Sequence, residues 1–396
     1  MTIVYVSDYV TAHIRYFLNA VFELPNVKLY FIETQARNSA DYFQQGFAYY
    51  IAKSEKCVEN FEVVSFSASE ETRKQSEKLI AESDVVIIGN ANDQSVLSRL
   101  KSGKLTFRAH ERWYRKKLPL MKRPRAVIGG WLHHSRYKNL YLLCASGYTA
   151  FDASRAWCFR NKAYKWGYFP EIKRYEDFSK NIVQKKHCSS ILWAARLIDW
   201  KHPEIPVRIA RRLKSEGYKF DLKLIGTGEL EIDLRSMIND YDLQDCVHML
   251  GFMKPEQVRL HMEVSQIFLF TSDRNEGWGV VLNEAMNSGC AVVASHAIGA
   301  VPYLIKDGEN GLIYTDGDEE ELYRKVKMLL DDSELCSLYG KSAYETVMDE
   351  WSAEVAAERF INLAEHILSG DEHPDLYASG PCSRAEIIKD DWYCKK

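Results

Sequence analysis

The sequence predicts an α/β protein of two halves, each built on a parallel sheet, and three observations carry that prediction. Short apolar runs alternate with polar stretches of helical spacing along most of the 396 residues, the pattern of successive βαβ units. Near the middle, Pro170 and the charged run 171–187 interrupt the pattern and mark a linker. Residues 271–289 read as the end of a strand, a glycine-containing loop, a helix and the start of the next strand. In a parallel sheet such a loop lies at the carboxyl end of a strand, where ligands bind.

Composition narrows the class. Hydrophobic content of 46% and charged content of 27% are those of a globular chain long enough for two cores. No apolar run approaches the roughly eighteen residues of a membrane span, and the first residues start a strand without the basic and apolar pattern of a signal segment. Nine cysteines are an odd set without C-x-x-C spacing. Cys144, Cys188 and Cys290 sit in apolar runs, which favours buried thiols in a reducing compartment, by default the cytosol.

In the first half, residues 2–6 form a strand that ends at Ser7-Asp8-Tyr9, and 13–22 continue with helical periodicity. Apolar runs at 27–32, 61–66 and 84–89 are further strands, with the polar stretch 69–83 suited to a helix. Asp8 and His13 are candidates for a site beside the first strand, or simply an N-capping Asp and a first-turn His. Residues 108–138 are dense in cations, from Arg108 and Arg112 to Arg136 and Lys138, with Glu111 the only acid, and Trp113, Tyr114 and Trp131 are interleaved with them. Such a mixture suits anionic lipid headgroups at residues 108–125, a diphosphate-bearing acceptor, or a solvated basic face; no nucleic-acid module accompanies it. Residues 139–146 and 164–170 close this half.

The second half reads as strand 189–195, helix 203–216, strand 220–225, helix 229–241, strand 247–250, helix 256–264 and strand 267–270. A helix from Val280 through Met286 stops at Gly289, and strands 291–294 and 311–314, a helix at 318–330 and a last helix at 353–368 follow. The tail 370–396 shows no periodicity. The domains are therefore 1–170, 171–350, a terminal helix in 351–369, and the tail. Glu276 in the loop and Glu284 about one and a half turns into the helix flank a helix N-terminus, so a phosphate and a polyol are the ligands this stretch suits.

The run EGWGVVLNEAMNSGC, from Glu276 to Cys290, closely resembles the E-x7-E signature of retaining GT-B glycosyltransferases of family four. The resemblance covers most of 189–350 and implies two facing Rossmann-like domains, with the C-terminal helix crossing back to the first. It implies transfer of a sugar from a UDP- or GDP-linked donor, with no separate cofactor, to a glycan or lipid-linked acceptor in surface polysaccharide assembly, by a cytoplasmic protein peripheral at the inner membrane face. Arg196 and Lys201 resemble the family's diphosphate clamp, although R-x4-K spacing alone equally suits an ion-pairing role. Glu276 corresponds to the contact with the donor sugar and Glu284 to the ribose contact. The backbone of Gly277, Trp278 and Gly279 falls near the phosphate. Gly226 and Gly228 resemble the family's G-x-G, and Phe252 lies where the base is met. His110 is the counterpart of the histidine placed over the sugar, or a satisfied loop histidine.

Departures stand at Ala195, at the first loop, which lacks the usual glycine pair, and at Ala300 and Tyr303. Asp316-Gly317-Asp318 spells the metal-binding D-x-D of another class, but Asp318 is placed to cap a helix, and no metal site is expected. An epimerase on the same scaffold and a silent nucleotide-sugar-binding protein are the rival readings.

Overall fold

The computed structural model describes residues 1–34, 60–115, 118–182, 184 and 186–394. Lys116 and Lys117 of the basic segment, two positions of the 171–187 run and the last two residues of the tail lie outside them. Contacts divide the chain into two compact units, 1–170 with 351–389 and 171–350 with 390–396.

Among the described residues the first unit holds seven strands: β1 (Thr2–Ser7), β2 (Lys28–Glu33), β3 (Glu62–Ser65), β4 (Val85–Ile88), β5 (Thr106–His110), β6 (Leu140–Cys144) and β7 (Ala163–Lys165). Their order is β3-β2-β1-β4-β5-β6-β7 and every neighbouring pair is parallel. Ile3 to Val6 and Val85 to Ile88 are buried, as central strands covered on both faces must be. The helix Ala12–Glu23 follows β1 and packs through Phe17 against Trp166 (4.9 Å) and against Phe360 (6.0 Å) of the last helix, Ala353–Leu368. Ser352 caps that helix, and Ala356, Ala357, Phe360, Leu363 and Ala364 form its buried stripe. The last helix therefore belongs to the first unit.

The aperiodic tail is ordered by pairing. Lys165 N–H donates to the Ser383 carbonyl (2.8 Å), Cys382 N–H to the Lys165 carbonyl (2.9 Å) and Ala385 N–H to the Ala163 carbonyl (3.1 Å). The tail thus covers the outer edge of β7, whose backbone groups would otherwise template aggregation. Its end belongs to the second unit, where the Tyr393 hydroxyl lies 2.7 Å from the Ile313 carbonyl and 2.9 Å from the Asp307 carboxylate.

Among the described residues the second unit has six parallel strands in the order β10-β9-β8-β11-β12-β13: β8 (His187–Ala194), β9 (Asp221–Ile225), β10 (Val247–Gly251), β11 (Ser265–Phe270), β12 (Ala291–Ser295) and β13 (Leu312–Tyr314). Sequence periodicity missed one long helix, Ser333–Asp349. Its buried stripe is Cys336, Tyr339, Gly340, Ala343, Tyr344 and Val347, small and aromatic rather than aliphatic, and Gly340 weakens the helical signal. That glycine is required, because a Cβ there would lie 2.3 Å from the Gly289 carbonyl oxygen.

The run 171–187, expected as a linker, is packed onto the second unit: Lys173 pairs with Glu263 (2.6 Å) and Phe178 stacks on Tyr344 (4.5 Å). Lys186 anchors its end. The ammonium donates to the carbonyls of Met262 (2.9 Å), Ser265 (2.6 Å) and Ser288 (2.9 Å), at the C-termini of the helices Pro255–Val264 and Val281–Asn287. A cation there satisfies orphan carbonyls at two helix ends, which offsets the burial that pulls its pKa down. Lys186→Met is expected to cost about 3 kcal/mol by stranding these acceptors. Urea unfolding of the second unit checks this, and an unchanged midpoint would mean that the carbonyls are served without the lysine.

Candidate functional site

In the second unit the strand order reverses between β8 and β11, and the loops after β8, β9 and β11 gather at their carboxyl ends, the place where open parallel sheets bind ligands. Thr271 is the tie between two of them. Its buried hydroxyl accepts from Trp193 Nε1 (2.8 Å) and lies within donating distance of the carbonyls of Lys201 (2.8 Å) and His202 (3.1 Å). Asp273 N–H adds a bond to the Trp200 carbonyl (3.0 Å). The loop after β9 is held as closely: Leu197 N–H donates to the Thr227 carbonyl (3.0 Å) and Leu230 N–H to the Leu197 carbonyl (3.1 Å). A Cβ at Gly226 would lie 1.8 Å from the Ala195 oxygen, and one at Gly228 would lie 2.2 Å from the Leu197 oxygen. Backbone stacking by itself thus requires both glycines, before any ligand is considered.

These ties bring Arg196, Lys201 and Glu276 together around Trp200. Lys201 Nζ sits 4.3 Å from the centroid of the Trp200 ring and donates to the Glu276 carboxylate, while the Arg196 guanidinium lies 5.9 Å from the same ring. The side chains of Lys201 and Glu276 are each 11% exposed. Burial holds the Lys201 ammonium below the ordinary lysine range and Arg196 adds to this, while Glu276 pulls it back up. Trp200 was not singled out from sequence. It stands directly before Lys201, and its face is a platform for both cations.

The loop that carries Glu276 is closed from several sides. Glu276 N–H donates to the Asp273 carbonyl (3.1 Å), while Gly299 and Ala300 N–H groups donate to the carbonyls of Glu276 (3.2 Å) and Trp278 (3.0 Å). Gly279 takes φ +91°, with the Phe270 ring 2.6 Å from where a Cβ would be. The Trp278 ring is buried and its Nε1 donates to Asn283 Oδ1 (2.9 Å), so this side chain is core. Gly277 is buried beside it. The helix that follows spans only Val281–Asn287. Glu284 is therefore in its first turn, not one and a half turns along, because the Gly279 turn delays the helix start. So short a helix carries little dipole, and the positive groups that matter here are Arg196 and Lys201.

Glu284 faces a residue absent from the sequence reading. Burial pushes its carboxyl pKa up to about 7, against the pull of Arg259, and Glu171 adds to the rise. Arg259 is itself buried and donates to Asn287 Oδ1. An Arg twenty-five residues upstream, on another helix, leaves no local sequence signal. Phe252 is exposed just beyond β10, next to Gly251, whose carbonyl accepts from Gly226 N–H (2.9 Å). Asp318 caps the helix Glu319–Asp331 through Glu321 N–H (2.8 Å), and Asp316 N–H donates to His296 Nδ1 (2.9 Å).

His110, Asp8 and His13 are in the first unit. His110 ends β5, its Nδ1 is 2.7 Å from the Glu111 carbonyl, and enclosure by protein together with Arg108 and Arg115 lowers its pKa although part of the residue is exposed. Asp8 is not an N-cap. Its carboxylate accepts from Asn90 Nδ2 (2.6 Å) and Thr34 Oγ1 (3.0 Å), and Thr11 occupies the cap position. His13 lies in the first helical turn, stacked on Tyr168 (5.6 Å), with burial pulling its pKa down to about 4. The basic segment needs correction as well. Arg108 and Arg112 are buried, Arg112 over the Tyr148 ring (4.7 Å) and 3.6 Å from the Asp152 carboxylate, because β5 and the turn after it run through the core.

Two parallel-sheet units, with the C-terminal helix on the first, are the GT-B fold. The crystal structure of Anabaena HepE in complex with UDP is similar over 93% of this chain and 100% of its own, at TM-score 0.66 and 16% identity. Staphylococcus aureus TarM is similar over 74% of this chain and 57% of its own, at TM-score 0.56 and 17% identity. Residues 175–346 match the family model described as glycosyl transferases group 1. Among curated relatives, the amylovoran biosynthesis glycosyltransferase AmsK of Erwinia amylovora is 36% identical over 137 residues, 33% of either chain. The putative colanic acid biosynthesis glycosyltransferase WcaL of Escherichia coli is 29% identical over 182 residues, 44% of either chain. The chain thus matches a third to under half the length of these relatives.

The Glu284 shift has a definite sign in stability. A carboxyl raised in the folded state adds stability below its unfolded value of 4.5, and that contribution is lost as pH rises through about 7. Glu284→Gln is therefore expected to be more stable than the parent at pH 8 by about 2 kcal/mol, read as a higher thermal midpoint, and to have a nearly unchanged midpoint at pH 4.5. Equal shifts at both pH values would show that Glu284 titrates normally.

Proposed function

We propose that this protein transfers a sugar from a UDP- or GDP-linked donor to a glycan or lipid-linked acceptor, with retention at the anomeric carbon and without a divalent metal, in surface polysaccharide assembly at the cytoplasmic face of a membrane. The observation that carries it is the convergence of Arg196 and Lys201 on the Glu276 loop at the sheet's switch point. HepE, of similar fold, is seen with UDP, and the relatives AmsK and WcaL are named for amylovoran and colanic acid biosynthesis.

In this reading the donor diphosphate meets the Arg196 fork and draws Lys201 from Glu276. Two cations then neutralise the charge that grows as the bond from C1 to the phosphate oxygen breaks and its electron pair leaves with the nucleoside diphosphate. The acceptor hydroxyl attacks C1 on the face being vacated, and its proton passes to the departing phosphate oxygen, so no covalent sugar forms on Glu276. Glu276, once released, accepts from sugar hydroxyls and Glu284 from the ribose, while the backbone at Gly277 to Gly279 approaches the phosphate. The loop of Gly226 and Gly228 and the exposed Phe252 are assigned to the nucleoside. His110, whose pKa is lowered by enclosure, is assigned to the transferred sugar.

Glu284→Ala is expected to weaken donor binding, and Glu276→Ala to lower turnover, each by roughly tenfold to a hundredfold for a lost charge-assisted hydrogen bond of about 1.5–3 kcal/mol. Calorimetric titration and initial rates check the pair; parent-like values in both would put the site elsewhere. Product NMR is expected to show a retained anomeric centre, and activity is expected to survive exhaustive chelation. Inversion, or loss of activity that manganese or magnesium restores, would defeat the mechanism.

A further inference from the structure

We infer that the face formed by residues 121–138 together with Trp157 docks on an anionic phospholipid bilayer. The helix Arg123–Gly130 and the wide turn Trp131–Ser135 leave Met121 93%, Ile128 61% and Trp131 57% exposed, with Leu132 exposed beside them. Trp157 joins them through the fold. Gly130 packs so tightly that a Cβ would lie 2.2 Å from the Ala156 oxygen, and Ser135 Oγ donates to the Trp157 carbonyl (3.2 Å). Trp157 is 78% exposed and holds φ +52°, a conformation that disfavours a bulky side chain. A large aromatic kept in a strained turn and turned to solvent does nothing for the core, and strain of this kind collects at functional surfaces.

Charge identifies the partner. From Arg112 through Phe151 the sequence contains no Asp or Glu. Lys122, Arg123 and Arg125 are exposed and make no ion pair among the described residues; Lys138, at the border, pairs with Glu372 (3.4 Å). Cations mixed with exposed Trp, Ile and Met suit the headgroup region of an anionic bilayer, where indole rings favour the interface and each cation gains from the surface potential. A second copy of the chain fits poorly, since this face would meet its own like charges. The surface differs from the 108–125 segment expected from sequence: Arg108 and Arg112 are buried, and Trp157 comes from a distant stretch.

Sedimentation with liposomes of phosphatidylglycerol and phosphatidylcholine tests this on the full chain. The parent protein is expected to bind these vesicles but not phosphatidylcholine alone, and to be released by raising NaCl to about 0.5 M. Replacing Lys122, Arg123 and Arg125 together by Gln should weaken binding about a hundredfold, at roughly fivefold per cation. Trp157→Asn, chosen because Asn tolerates positive φ, should weaken it about tenfold while circular dichroism stays that of the parent. Nucleotide-sugar binding, assigned to residues outside this patch, should be unchanged in both variants, so failure of the docking surface is distinguishable from failure of the transferase reading. Equal binding by the parent and the triple variant, binding to neutral vesicles, or a dimer in light scattering that Trp157→Asn dissociates would overturn the inference, the last by showing a protein on this face.

Discussion

The hydroxyl of Thr271 is the joint on which the second unit's site depends. A buried hydroxyl has one proton and two lone pairs, and here it receives the Trp193 indole N–H and faces two successive carbonyls, those of Lys201 and His202. Trp193 is on β8 and Thr271 follows β11, so one side chain locks the carboxyl ends of the two strands that flank the reversal of strand order. His202, a non-glycine residue at φ +51°, is held in that turn by its carbonyl's contact with Thr271 and by its ring's contact with Glu204 (3.1 Å). Lys201 stands between these restraints, and its ammonium is delivered to Glu276 by backbone geometry rather than by the freedom of its own stem.

Burial sets the electrostatics. A buried ion pair contributes little net stability, because desolvation cancels much of the attraction, so Lys201–Glu276 is better understood as a stored arrangement than as a fastening. The same low dielectric pushes Lys201 toward its neutral form and Glu284 toward its protonated form. An incoming anion would favour the charged form of Lys201, and hydroxyl donors would favour that of Glu284. A ligand carrying both groups in one molecule would relieve both desolvation penalties at once.

How much of this was legible depended on the range over which a feature is determined. The central strands and the loop from Thr271 to Gly289 were readable because apolar run, glycine and helix stop are adjacent in the chain. The placement of Arg196 and Lys201 just after a strand was readable for the same reason. Features set by contacts between distant segments were not: the Ser333–Asp349 helix, whose Gly340 exists to admit the Gly289 carbonyl; Arg259 opposite Glu284; and the tail pairing with β7. Density of charge also misled at Arg108 and Arg112, because nothing local distinguishes an Arg stacked on Tyr148 near Asp152 from one in solvent.

The tail also settles the charge balance at the Glu276 loop. Among the described residues, Lys201, Arg274 and Arg196 are cations in or beside that loop. Lys201 is committed to Glu276, and Arg274 pairs with Asp390 (3.3 Å), which the chain's last segment returns to the second unit. Arg196 makes no ion pair among the described residues and has the Trp200 face for company. The guanidinium, planar and weakly hydrated, is the cation least penalised by resting on an aromatic face, and its fork is suited to two oxygens of one phosphate. With its neighbours' charges already answered by carboxylates, Arg196 is, in the transfer proposed above, the group that the donor diphosphate would meet first, and Lys201 the one it would recruit second.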